Sequence, residues 1–86
     1  MKRTYDDLGL QIKTLISDET GIDVDEIDNN TALLSSGLVD SFAFVAVLSL
    51  IEFEYGIEFS PSELTIENFD TIDSIIELTK QKGGVF

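Results

Sequence analysis

Eighty-six residues carrying a formal net charge of −12 read as one domain, residues 1–86, near the lower size at which a single core stands without staples. The chain has no cysteine and no histidine, which excludes disulfides, thiolate metal sites and any Ser-His-Asp or Cys-His relay built within it. Lysine and arginine occur only at Lys2, Arg3, Lys13, Lys80 and Lys82, while fifteen of the seventeen acids, all but Asp6 and Asp7, lie between Thr14 and Thr79. Such a field repels nucleic acid and anionic membranes and favours docking on basic protein surfaces; a solvated acidic surface is the plainer reading.

The opening Met-Lys-Arg-Thr-Tyr-Asp-Asp leads into an amphipathic pattern and not an unbroken apolar run, so no signal peptide is expected. Tyr5 to Thr20 is predicted to form the first helix, with Leu8, Ile12, Leu15 and Ile16 on one stripe and Asp6 and Asp7 in the first turn, where negative charge suits the helix dipole. Gly9 inside that pattern costs about 1 kcal/mol relative to alanine, and Gly21 ends the helix. Residues 21–40 form a long connection, an uncommon feature in so small a domain and usually a functional one. Ile22, Val24, Ile27, Leu33 and Leu34 are spaced to pin it to the core, with a short helical turn expected around Asp25 to Ile27.

The second helix follows Ser41 and stops at Gly56. Asp40 and Ser41 are both competent N-caps, since each offers a side-chain oxygen to unpaired backbone N–H groups. Phe44, Val47, Leu48, Ile51 and Tyr55 form the expected core face. Phe42, Ala46, Ser49 and Phe53 form a second stripe, with Val45 and Glu52 between. A helix apolar nearly all round is buried on every side or keeps one side for a partner, and its length falls short of a membrane span.

Ser60 with Glu63 three residues on makes a capping box, with Pro61 at the first helical position, so one short helix is expected there. The last helix starts near Thr71, with Asp70 as the competing cap. It carries Ile72, Ile75 and Ile76 on one side, Leu78 near the edge, and Lys80 and Lys82 at its cation-favouring end. Gly83 and Gly84 should stop it, leaving Val85 and Phe86 to fray. The sum is an all-α protein: a small four-helix bundle of three main helices and one short helix, with a long loop between helices 1 and 2.

Candidate chemistry is sparse. An EF-hand loop begun at Asp23 would need Gly and Glu where Asp28 and Leu34 stand, so the acidic loop is not one. The feature shaped for phosphate is Ser41, at the head of a long helix whose N–H groups and dipole favour an anion. Simple capping by Asp40 and Ser41 is the competing account.

The segment Gly37-Leu38-Val39-Asp40-Ser41-Phe42 resembles the attachment motif of acyl carrier proteins and peptidyl carrier domains, in which Asp-Ser precedes a large apolar residue. The order of elements matches across nearly the whole chain, down to Phe69-Asp70-Thr71-Ile72 opening the last helix. The resemblance implies a carrier and not an enzyme. Its cofactor would be 4′-phosphopantetheine, attached to Ser41 and holding an acyl or aminoacyl group as a thioester. Implied partners are a phosphopantetheinyl transferase, a ligase or adenylating enzyme that loads the thiol, and an acyltransferase or synthase that unloads it.

Fatty-acid carriers display several acids on the second helix, whereas here the matching places hold Ala43, Ala46 and Phe53, with Glu52 and Glu54 nearby. The motif is closer to carriers of amino acids, such as D-alanyl carrier proteins, and to freestanding carriers of nonribosomal peptide, polyketide or polysaccharide-modifying pathways. Asp40, Phe42, Val45, Ser49, Glu52, Phe53 and Ile66 are the expected partner-binding residues, unless Phe53 packs under the long loop. A cytoplasmic monomer with no nucleic-acid partner and no membrane insertion completes the expectation. The alternative is an acidic helical interaction module without a prosthetic group, in which Ser41 is only a cap.

Overall fold

A computed structural model describes residues 5–83, with side chains from Asp7 onward. The expected stop at Gly84, the fraying of Val85 and Phe86, the cations Lys2 and Arg3, and the Asp6 side chain lie outside the described residues. Among the described residues four α-helices form: α1 (Tyr5–Thr20), α2 (Ser41–Tyr55), α3 (Ile66–Phe69) and α4 (Ile72–Gln81), with single 3₁₀ turns at Val24–Glu26 and Pro61–Glu63. No strand occurs among the described residues. α1 packs against α2 and α4, and α3 packs against α4.

The expected stripe of α1 faces the core through Leu8, Ile12 and Ile16, with Leu15 partly buried at its margin. In α2 the fully buried line is Ala43, Val47, Ile51 and Tyr55, a ridge of i, i+4 neighbours. Phe44 and Leu48 flank it partly buried. Ala43, grouped at the sequence level with the partner-facing positions, therefore belongs to the core. α4 contributes Ile72, Ile75 and Leu78. Its buried Thr79 satisfies its hydroxyl by donating to the Ile75 carbonyl at 2.8 Å, as a buried polar group must. Phe69 of α3 meets Phe44 and Phe59 edge-to-face, each at 5.2 Å between ring centroids, an arrangement worth about 0.5–1.5 kcal/mol per pair beyond area burial.

The long connection is pinned at four of the five expected apolar positions, Val24 alone being half-buried in its 3₁₀ turn and not part of the core. Ile27, Leu33 and Val39 are buried, and Ile22, Leu34 and Leu38 pack partly against the core. Its helical turn falls at Val24–Glu26, opened by Asp23, whose carboxylate accepts from the Asp25 N–H. Backbone contacts tie the loop to the start of α4: Asp73 N donates to Asn29 O at 3.0 Å and Leu33 N to Asp70 O at 2.6 Å.

The region after α2 differs from expectation. Ser60 and Glu63 do pair, the Glu63 carboxylate accepting from the Ser60 N–H at 2.8 Å, but what they open is one 3₁₀ turn. Leu64, at ψ 68°, takes the chain out of helical geometry, and Thr65 N then bonds back to Glu63 O at 2.9 Å. The true third helix starts one residue further on. Thr65 caps it by accepting from the Asn68 N–H at 3.2 Å, so Ile66 is the first residue of α3. Lys82, expected only to favour the end of α4, spans to this turn and pairs with Glu63 at 2.8 Å. That ion pair and the Ser60 N–H hold the Glu63 carboxyl below its ordinary pKa.

Candidate functional site

The site is built where the long loop runs into α2. Residues 34–37 form a turn in which Gly37 takes φ +80°, a left-handed conformation that side chains with a Cβ disfavour. Val39 follows, buried, and anchors the chain just before Asp40. Asp40 is the N-cap: its Oδ1 accepts from the Ala43 N–H at 2.9 Å, and its carbonyl accepts the first helical bond from Phe44 N at 2.9 Å. The capping role left open between Asp40 and Ser41 thus goes to the carboxylate. Ser41 is the first residue of α2 and is exposed.

Its neighbours in type are differently placed. The Ser35 hydroxyl donates to Asp70 Oδ2 at 2.8 Å, that of Ser36 to Ala32 O at 2.5 Å, Ser60 bonds Glu63, and Ser74 bonds Thr71. A phosphodiester at position 41 would lie at the first turn of a 15-residue helix, whose Ala43 N–H is already taken by Asp40, and at the positive end of its dipole. The residues present therefore fit a phosphate-linked group on this hydroxyl, although the neighbouring Asp40 charge would oppose it.

Along α2 from Ser41, Phe42 is 77 % exposed, Val45 58 % and Phe53 86 %, with Ser49 exposed between them. The choice between an exposed Phe53 and one packed under the loop resolves to exposed. Ile66, on α3, is 60 % exposed. Glu52 stands apart from this row: it is partly buried and its Oε2 accepts from the Phe59 N–H at 2.9 Å. Glu54 accepts from the Gln11 side-chain amide at 3.4 Å. Both acids of α2 are thus engaged within the fold, and its exposed face is apolar and hydroxylic.

Asp70 has a role that sequence reading missed. Weighed there only as a rival cap for α4, it yields that task to Thr71, which accepts from the Ser74 N–H at 3.1 Å. Its carboxylate reaches the long loop instead, taking the Leu34 and Ser35 N–H groups at 2.8 and 2.9 Å and the Ser35 hydroxyl. The Ser35 N–H, then the Ser35 hydroxyl and the adjoining amides, hold the Asp70 carboxyl below its ordinary pKa. No local pattern flags a contact across 35 residues; the only hint is that a better cap stands beside it.

A family model described as a phosphopantetheine attachment site matches residues 11–79. The chain belongs to that family: it is a phosphopantetheine carrier, not a catalyst, in which 4′-phosphopantetheine is joined covalently to a serine. Carriers of this kind work with phosphopantetheinyl transferases and with synthase or ligase enzymes. Among curated proteins, none matches the chain. Among the described residues no helix is long and apolar enough to cross a membrane.

Proposed function

We propose that Ser41 is the attachment serine and that the protein carries an acyl or aminoacyl group. The observation that carries this reading is the division of labour at the head of α2. Asp40 closes the helix end, so the exposed Ser41 hydroxyl is spared that structural task. Once attached, the group supplies the thiol on which cargo is held as a thioester. In the transfer Ser41 Oγ would bond to the pantetheine-side phosphorus of coenzyme A as the pyrophosphate P–O bond breaks and adenosine 3′,5′-bisphosphate leaves, the hydroxyl proton passing to a base of the transferase; the positive end of α2 would favour the resulting phosphodiester. Asp40 raises the local negative charge, so the cation that steadies the phosphate in the transfer must come with the transferase.

The exposed Phe42, Val45, Ser49 and Phe53 are the docking face, with Ile66 of α3 as an outer contact and Asp40 beside the attachment point. Glu52 acts from behind, holding the chain at Phe59. With the α2 acids engaged inside the fold, partners bind this face by burying apolar area, up to about 1.5–3 kcal/mol for each fully buried phenylalanine. A loading ligase or adenylating enzyme and an unloading acyltransferase or synthase would use it in turn. Residues 1–86 would act as one carrier domain, monomeric and cytoplasmic.

The experiment is an intact-mass measurement after incubation with coenzyme A and a broad-specificity phosphopantetheinyl transferase. Wild type gains one phosphopantetheine group and Ser41→Ala gains none. A wild type that stays unmodified would favour an interaction module instead.

A further inference from the structure

The segment that delivers Ser41 has no helix of its own to hold it. Residues 33–39 close on themselves: Val39 N donates to Leu33 O at 2.9 Å and Gly37 N to Leu34 O at 3.1 Å. The amides at the start of this turn need acceptors that the turn does not contain, much as the first amides of a helix do. Asp70, at the junction of α3 and α4, supplies them. Its carbonyl takes Leu33 N, and its carboxylate takes Leu34 N, Ser35 N and the Ser35 hydroxyl.

We infer that Asp70 is a positioning residue for the attachment reaction: by capping the turn from across the fold, it holds the segment leading to Ser41 ready for the transferase. The inference rests on Ser41 being the attachment serine. The mechanical link is short. The carboxylate holds Leu34 and Ser35, next in sequence to Leu33, whose carbonyl accepts from Val39 N, and Val39 adjoins the cap residue Asp40. Without the carboxylate, the turn must be reordered each time a transferase docks, and the entropy of that ordering is subtracted from binding. The loss therefore falls on KM for the carrier, with kcat little changed. A second consequence separates this role from general stabilisation. Asp70→Asn keeps one oxygen for the Leu34 and Ser35 amides, and the Ser35 hydroxyl can reverse to accept from the new amide. Asparagine should therefore rescue what alanine loses.

The test follows transfer from coenzyme A to the full chain, by intact mass, for wild type, Asp70→Ala, Asp70→Asn and Ser35→Ala, with amide hydrogen exchange on each. Asp70→Ala is expected to raise KM by about tenfold or more, the equilibrium factor of one hydrogen bond to a charged group. Exchange should quicken at Leu34 and Ser35 but not at Val47 and Ile51 within α2, and Asp70→Asn should stay close to wild type. A folded Asp70→Ala with wild-type KM, or an asparagine variant as impaired as alanine, overturns the inference. Should Asp70→Ala fail to fold, Ser35→Ala decides: it removes one hydroxyl contact, so an intermediate rise in KM supports the role and an unchanged KM overturns it. A wild type that never gains the group defeats the attachment reading and this inference with it; modified wild type beside an indifferent Asp70→Ala defeats this inference alone.

Discussion

Glu63 and Asp70 each have a carboxyl held below its ordinary pKa, the first chiefly by the Lys82 hydrogen bond and the second chiefly by the Ser35 N–H. A group whose pKa is lower folded than unfolded binds protons more readily when unfolded, so its contribution to stability is complete above the unfolded value, about 4. It is lost as the pH falls through the folded value. Melts taken from neutral pH downward should therefore show Tm falling below about pH 4, and Glu63→Gln or Asp70→Ala should flatten that fall while lowering Tm at neutral pH. An acid slope identical to wild type in both variants would contradict the assignment. Gly9 gives a prediction of opposite sign. It sits in α1, where an added Cβ would lie 3.6 Å from Ile76 Cδ1 and 3.8 Å from Ile72 Cγ2, ordinary packing distances. Gly9→Ala should gain about 1 kcal/mol of helix propensity and raise Tm by about 4–8 °C. A fall would mean that the approach of α1 to α4 cannot take a methyl group.

α2 was the element most legible in the sequence. Its Gly56 stop and its two apolar faces follow from spacing alone, because a long run free of turn residues admits few alternatives, while its first residue stayed open between Asp40 and Ser41. What spacing could not fix was the rotation of the buried line by one position. Phe44 and Leu48 are larger than Ala43, yet they are only partly buried, while Ala43 lies in the buried ridge with Val47, Ile51 and Tyr55. α3 was not legible: a single turn has too few residues to show a period, and the Ser60 capping signal drew attention to the wrong turn. The exposed face of α2 carries the prediction at this scale. Phe42→Ala and Phe53→Ala should leave Tm nearly unchanged, because exposed positions contribute within about 0.5 kcal/mol. Both should raise a transferase's KM, with a deficit that varies little with ionic strength. A deficit that salt abolishes would point to charge and not apolar area.

For the molecule as a whole, charge governs the solution behaviour. Fifteen acids lie in a stretch without a base, and their mutual repulsion opposes the compact state. Added salt or millimolar magnesium should raise Tm by screening it; a melt indifferent to ionic strength would mean the acids are too well dispersed to matter. The three main helices and the Asp40-Ser41 junction were readable along the chain, because each rests on neighbours in sequence. The Asp70 contact and the Lys82–Glu63 pair were not, because they join segments that only folding brings together. On the proposed reading, one exposed hydroxyl at the head of α2 is the tether. The most direct test is to digest and fragment the product of the transferase reaction and read which serine bears the phosphopantetheine. The group is expected on Ser41 alone; finding it on another serine, or on none, would overturn the assignment.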